Sequence, residues 1–252
     1  MTDIRPQIAQ LHFTDSAHPS EVVNHIIQDW KHSDTSCIIH YMYYANYVAI
    51  HKNPALLHSY QQSQYILVDG IGMQIYFKIT TGKSIANLNG TDMSPLFFEK
   101  LYQNQIPISL YGTTAPNIKR CYDKLIQQYG ESFVHFYQDG YHPLSLQHIP
   151  DRSALFVGLG SPRQERWVSD HWEEICKKKL LVFTVGGYFD FLSGFYVRAP
   201  QWVRTIKMEW LWRTILHPGR HYHKRLRDMT ILFLPLLHKL KGYRRYLKFI
   251  QL

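Results

Sequence analysis

A chain of 252 residues, 45% of them hydrophobic, 15% aromatic and only 19% charged, is too apolar to stay disordered. At roughly 100–200 residues per domain it holds one large domain, or one domain with an appendage. Its 14 Gly and 12 Pro follow no period, which excludes a collagen-like or low-complexity chain. Cys37, Cys121 and Cys176 form no C-x-x-C, so neither a disulfide framework nor a structural zinc site is expected.

The start, MTDIRPQIAQLHFTDS, has no apolar core, and no run of about 18 apolar residues occurs anywhere. The expectation is a reduced, cytoplasmic protein. The first helical pattern is Ser20–Trp30, followed by a strand over Cys37–Tyr41 and a helix over Pro54–Gln62. The next strand, Tyr65–Val68, runs into LVDGIGM (Leu67–Met73). There Asp69 stands just beyond a buried strand and before Gly70 and Gly72, which permit close backbone approach. Asp69 reads equally as a general base at a site edge or as the cap of the following helix. In NGTDM (Asn89–Met93), Thr91 and Asp92 suit the start of a helix over Asp92–Gln103, and capping is the favoured reading.

A strand over Ile106–Tyr111 ends in Gly112-Thr113, and a helix over Ala115–Tyr129 and a strand over Phe133–Phe136 follow. The strand Ala154–Val157 leads into VGLGSPRQERW (Val157–Trp167), a Gly turn before a helix over Arg163–Ile175. Pro162 fits a first-turn position and Glu165 complements the helix dipole. Gly158 and Gly160 alone suit a tight turn more often than a ligand site. The third Gly of a dinucleotide fingerprint and the G-K-[ST] of a P-loop are missing. Such a helix start can still receive a diphosphate, with Arg163 and Gln164 facing it or lying on ordinary surface. The strand Leu180–Val185 ends the series in VGGYFDFLSG (Val185–Gly194). It offers Gly186, Gly187 and Asp190, the last either a ligand contact or a satisfied structural carboxylate.

Strands alternating with such helices predict βαβ units and a mostly parallel sheet, which binds ligands at the carboxyl ends of its strands. Asp69-Gly70, Gly112-Thr113, Gly158-Leu159-Gly160 and Gly186-Gly187 all follow strands, so small residues and a carboxylate gather on one edge. The 15 histidines form no H-x-x-x-H helix pair, and no G-x-S-x-G occurs. No metal and no cofactor are expected.

Charge then divides the chain near residue 196. Residues 1–196 hold 15 Lys+Arg and 17 Asp+Glu; residues 197–252 hold 13 Lys+Arg against only Glu209 and Asp228. In the basic part, Gln201–Leu216 places Trp202, Val203, Ile206, Trp210 and Leu211 at helical spacing among Arg204, Lys207 and Arg213. Mostly apolar Thr230–Leu237 lies between two basic clusters. Such a segment suits a membrane surface, where each Lys or Arg near anionic lipid adds roughly 1 kcal/mol. The competing readings are a basic face docked on the main domain and a nucleic-acid contact.

The ordered series LVDGIG, NGTDM, ISLYGTTAPN, VGLGSPRQERW, VGGYFDFLSGFYVRAPQWV and EWLWR resembles the WecG/TagA/CpsF glycosyltransferases (glycosyltransferase family 26), from about Pro54 to Arg227. The diagnostic pieces are G-x-G-x-P-x-Q-E-x-W, G-G-x-F-D-F-x-x-G and R-A-P-x-W. The resemblance implies a Rossmann-like (GT-E-like) α/β domain over 1–196 with a basic, membrane-associating helical appendage over 197–252. It implies an inverting, metal-independent transfer from a UDP-sugar donor to a polyprenyl-diphosphate-linked saccharide acceptor. The reaction would serve surface polysaccharide synthesis at the inner face of the bacterial plasma membrane. Nucleic acid is not an expected partner, since the sheet-edge site would then have no role. Self-association stays open, because the apolar tail can dock on its own chain, a neighbouring copy or lipid.

Carried over by position, the resemblance makes Asp69 the general base and Gln164 and Asp190 holders of the nucleotide-sugar. It makes Gly112, Gly158 and Gly186 the floor of the site. Gly70, Gly72, Thr91, Asp92, Gly160, Arg163 and Gly187 complete the expected substrate site. Arg198, Arg204, Arg213, Arg220 and Lys224 become candidates for diphosphate or membrane. The chain departs from the family where Tyr41 and Tyr43 replace a Thr-x-Asn motif and where Asn87 replaces an Arg. A shifted register would make Asn46 the displaced Asn. These positions face the donor in the family, so a hexose donor stands beside N-acetylhexosamines. An inactive nucleotide-sugar or lipid-binding subunit is the alternative.

Overall fold

The computed structural model describes residues 11–16, 18–205, 209, 212, 233–240 and 248–251. The β-branched and aromatic runs form β2 (Cys37–Tyr43), β3 (Tyr65–Asp69), β4 (Ile108–Gly112), β5 (Val134–Gln138), β6 (Ala154–Gly158) and β7 (Leu181–Thr184). Two short strands, β1 (His12–Asp15) and β8 (Lys248–Gln251), join them. The order is β5-β4-β6-β7-β2-β3-β1-β8, and every pairing is parallel. The parallel α/β sheet expected from the alternation is therefore present, and with it the Rossmann-like architecture that the resemblance implied.

Helices Pro54–Gln62 and Ala115–Tyr129 keep the bounds read from the sequence, while Pro19–His32 and Gly90–Gln103 start one or two residues earlier. The helix expected over Arg163–Ile175 breaks at His171 into Arg163–Asp170 and Trp172–Lys177. Helices Tyr44–Ile50 and Ile71–Thr81 occupy stretches that carried no clear helical signal.

Side chains alternate along each strand, so consecutive residues enter cores on opposite faces of the sheet. Ile39, Tyr41, Tyr65, Leu67, Ile108, Phe156 and Phe183 pack with Val22, Ile26, Phe97, Phe98 and Ile118 from the helices of one face. On the other face, Met42, Ile66 and Val68 join Leu56, Leu57 and Tyr76, and Ile38, Leu155 and Val182 join Val168 and Ile175. Between these last two clusters runs a polar seam of His40, Ser59, Tyr60 and Glu165.

The basic appendage adds to the same sheet, because β8 pairs with β1 from Lys248 beside His12 to Gln251 beside Asp15. Helix Phe233–Leu240 packs on helix Ile71–Thr81, and its Pro235 is buried. The Gln201–Leu216 helix is described over Gln201–Thr205. The candidate residues Arg213, Arg220 and Lys224 lie outside the described residues. No helix among the described residues is long and apolar enough to cross a membrane.

Candidate active site

Asp69 is the last residue of β3, half-buried and in register with Tyr43 at the end of β2. The cap position of helix Ile71–Thr81 is Gly70, at φ 87°, so Asp69 stands one residue outside the helix. Asn87 Oδ1 accepts the Gly70 N–H at 2.8 Å, and Leu88 N–H reaches Val68 O at 2.8 Å. Asn87 thus fixes the turn that carries Asp69. Tyr41 is buried against Gly90, beside Ser94. Burial first, and then the Asp69 charge, raise its hydroxyl pKa well above the ordinary tyrosine value. Asn46 is also buried and donates its amide to Tyr60 Oη at 2.7 Å. Gly72 lies in the first turn of the Ile71–Thr81 helix and Thr91 in the first turn of Gly90–Gln103.

The glycines of this edge divide by what surrounds them. A Cβ on Gly112 (φ +146°) would sit 2.4 Å from Gly158 O, and one on Gly158 would meet the Phe189 ring at 2.5 Å. These two let the loops after β4, β6 and β7 close on one another. Gly70, Gly160 and Gly187 have nothing within 4 Å of the same position, so the space beside these three is open. Gly186, at φ +56°, has only Gln164 Oε1 at 4.0 Å. At about 4.8 Å per strand, Asp69 lies about 10 Å from the end of β7 and about 14 Å from that of β6.

Beyond β4, Thr113 holds a left-handed φ of 48°, a conformation costing about 1–3 kcal/mol that collects at functional sites. Its hydroxyl donates to Asp190 Oδ1 at 2.6 Å, and Asn117 Nδ2 donates to the same oxygen at 3.1 Å. Asp190 therefore ties the loop after β7 to the loop after β4. Thr113 and Asn117 were not singled out in the sequence, where only GTTAPN after a strand signalled them.

Gln164 is buried, with Oε1 accepting from Gly186 N–H at 2.9 Å and Nε2 donating to Thr184 O at 3.2 Å. Its amide is committed to protein partners. Arg163 is exposed and donates from Nε and Nη2 to Leu159 O at 3.1 and 2.8 Å, bracing the turn at Gly158–Gly160. Glu165 lies in the first turn of helix Arg163–Asp170, as expected, and is fully buried there, which raises its carboxyl pKa.

The start of helix Gly90–Gln103 is a reciprocal cap. Asn89 Oδ1 accepts Asp92 N–H at 3.0 Å, and Asn89 Nδ2 donates to Asp92 Oδ2 at 2.7 Å. Arg198 reaches across to Asp92 Oδ1 at 2.8 Å and to Glu209 Oε2 at 3.5 Å. Burial alone would raise the Asp92 pKa, but Arg198 and Asn89 outweigh it and lower it. Asp92 is 53% exposed, so Asp92→Asn is expected to cost no more than about 1 kcal/mol. A lowered carboxyl pKa stabilises the fold fully above the unfolded value and less as pH falls through the folded one. Melting curves of wild type and Asp92→Asn should therefore differ at neutral pH and converge below about pH 4.

Among the described residues, no group of three or more His, Cys, Asp or Glu side chains is placed to hold a metal ion. The profile of the glycosyl transferase WecG/TagA/CpsF family matches residues 7–246. The chain belongs to this family. One relative is the N-acetylglucosaminyldiphosphoundecaprenol N-acetyl-beta-D-mannosaminyltransferase of Bacillus subtilis (strain 168). It is 31% identical over 165 residues, 63% of each chain, so the match spans just under two thirds of that relative's length. The Staphylococcus aureus (strain NCTC 8325 / PS 47) protein of the same description is 26% identical over 178 residues, 68% of each chain. Within this WecG/TagA/CpsF fold, Asp69, the open turns at Gly70, Gly160 and Gly187, and the Thr113–Asp190 link share the carboxyl edge of one sheet.

Proposed function

We propose that this chain is an inverting glycosyltransferase that moves a sugar from a UDP-sugar to a polyprenyl-diphosphate-linked saccharide, without a metal. The single observation that carries the reading is a half-exposed Asp69 at the carboxyl end of β3 in a chain of the WecG/TagA/CpsF family. Asp69 takes the proton of the acceptor hydroxyl as its oxygen attacks C1 of the donor sugar. The C1–O bond to UDP breaks with inversion, and the departing diphosphate gains negative charge. Backbone N–H groups at the open Gly160 and Gly187 turns, with arginines of the appendage, stabilise that charge. Because Arg198 is held by Asp92 and Glu209, Arg204 and the basic residues beyond it are the better diphosphate partners.

The relatives' descriptions name an N-acetylmannosaminyl donor group and a GlcNAc-diphosphoundecaprenol acceptor. The same acceptor class suits this chain, whereas Tyr41, Tyr43 and Asn87 leave the donor as a hexose or an N-acetylhexosamine. The deciding experiment offers a panel of UDP-sugars, UDP-N-acetylmannosamine included, with polyprenyl-diphosphate-linked GlcNAc and a chelator. Product from one donor is expected. Binding of a UDP-sugar without product from any donor would favour the inactive subunit.

The protein is proposed to work peripherally, on the inner face of an anionic membrane. Leu236, Leu237 and Leu240 of helix Phe233–Leu240 are 52%, 49% and 76% exposed. Burying one such side chain in lipid contributes about 1.5–3 kcal/mol. Leu237→Glu with Leu240→Glu is expected to lower sedimentation with phosphatidylglycerol vesicles about tenfold or more. Unchanged sedimentation would remove this helix from the contact.

A further inference from the structure

The seam between the two cores on one face of the sheet holds a buried carboxyl group that the reaction does not use. Glu165 is 0% exposed. Its Oε1 accepts from Gln164 Nε2 at 3.1 Å and lies 3.4 Å from Tyr60 Oη, whose one proton also faces Tyr41 O at 3.2 Å, while its own carbonyl takes the Ser59 hydroxyl at 2.9 Å. Ser59 Oγ meets His40 Nε2 at 3.2 Å, and His40 Nδ1 meets Thr184 Oγ1 at 2.9 Å. Burial pushes the His40 pKa down to about 3, so the ring is neutral, with one nitrogen donating and the other accepting. The chain of contacts closes on Thr184, whose carbonyl is a partner of Gln164.

A carboxyl buried in the polar seam between two apolar cores is costly to desolvate, so its retention calls for a role. What the carboxyl adds to the direction set by Thr184 O and the Gly186 N–H is a second acceptor, so that both protons of Gln164 Nε2 are held. With Thr184 O and Glu165 Oε1 both accepting from Nε2, the Gln164 amide can only turn Oε1 toward the Gly186 N–H. Flipped, it would aim two donors at each other. Gly186 carries a left-handed φ and the neighbouring Gly187 is exposed with open space around it.

We propose that Glu165 is a positioning residue that acts through the Gln164 amide to hold the Gly186–Gly187 turn in the shape that receives the diphosphate of the nucleotide-sugar. The claim rests on the nucleotide-sugar reading above and adds to it a residue that touches no substrate.

The test uses the full chain, with UDP as the probe and amide hydrogen exchange as a second readout. Glu165→Leu is expected to weaken UDP binding at least tenfold and to speed exchange at Gly186 at least tenfold. Exchange at Gly70, on the far side of the site, should not change. Glu165→Gln keeps an acceptor oxygen for Gln164 and should stay within about threefold of wild type in both readouts. Gln164→Glu, which sets an oxygen where Nε2 stood, should loosen Gly186 as much as Glu165→Leu does, and it decides the matter if the leucine variant does not fold. Adding Glu165→Leu to Gln164→Leu should cost no further UDP affinity, since both act through one amide. Wild-type exchange at Gly186 in Glu165→Leu and Gln164→Glu, or full additivity in the double variant, would overturn the proposal. If wild type binds no UDP, the nucleotide reading falls by itself, and exchange at Gly186 alone decides whether Glu165 positions the turn.

Discussion

Asp69→Asn is expected to keep the fold and the affinity for UDP while turnover falls about 10²–10⁴-fold, the range that a positioned general base supplies. The substitution changes almost nothing but charge and basicity. The turn beneath it is held by Asn87 Oδ1 on the Gly70 N–H and by Leu88 N–H on Val68 O, and neither contact involves the Asp69 side chain. An amide cannot take up the proton that the attacking hydroxyl must lose. UDP release with and without lipid-linked acceptor, together with calorimetric UDP binding, separates the two effects. A variant that turns over at the wild-type rate would remove Asp69 from the chemistry.

The second large effect concerns two glycines that look alike in sequence. Gly112→Ala is expected to destabilise the protein by about 3–5 kcal/mol, the sum of backbone overpacking and a strained φ. Its Cβ would lie 2.4 Å from Gly158 O at a φ of +146°, and only a shift of two strand ends relieves that. The melting temperature should drop by roughly 10 °C, given about 2–4 °C per kcal/mol for a chain of this size. Gly187→Ala has nothing within 4 Å and φ −81°, so its stability should change by less than about 0.5 kcal/mol. There the loss falls on ligand, with UDP affinity reduced about tenfold. Equal melting temperatures for the two variants would mean that the contact between Gly112 and Gly158 is not tight in solution.

Much of this arrangement was legible because strands that end in Gly or Asp announce both the period and the edge. Asp69, Gly112, Gly158 and Gly186 fall at or just past the ends of β3, β4, β6 and β7, as read from the sequence. The missed elements lacked punctuation. Helix Tyr44–Ile50 begins directly after β2, with Tyr43 at the cap position and no side-chain cap. Helix Ile71–Thr81 opens on Gly70 and Gly72, which favour loops over helices by about 1 kcal/mol each. The break at His171 carries no Gly or Pro at all.

The site residues that escaped did so because their environment comes from far along the chain. Glu165 reads only as a carboxylate complementing a helix dipole, because Ser59 and Tyr60, which close over it, lie more than a hundred residues earlier. The partner of Arg198 was hidden in the same way, since Asp92 lies 106 residues earlier in the chain. Charge asymmetry marks a change in composition near residue 196, yet composition could not say that Lys248–Gln251 enters the sheet.

That entry has a topological consequence. β1 and β8 are neighbours in the sheet, although 232 residues separate Asp15 from Lys248. Strand β8 thus covers the β1 margin through a contact of very long sequence range, the kind whose loop-closure entropy is costly. A fragment ending at residue 196 would keep β1 to β7 and the sheet edge that carries Asp69, and would lose helix Phe233–Leu240 from its place on Ile71–Thr81. It would also expose the main-chain donors and acceptors of His12–Asp15 to any extended segment it meets, and pairing with other copies along that margin is the fate expected of it.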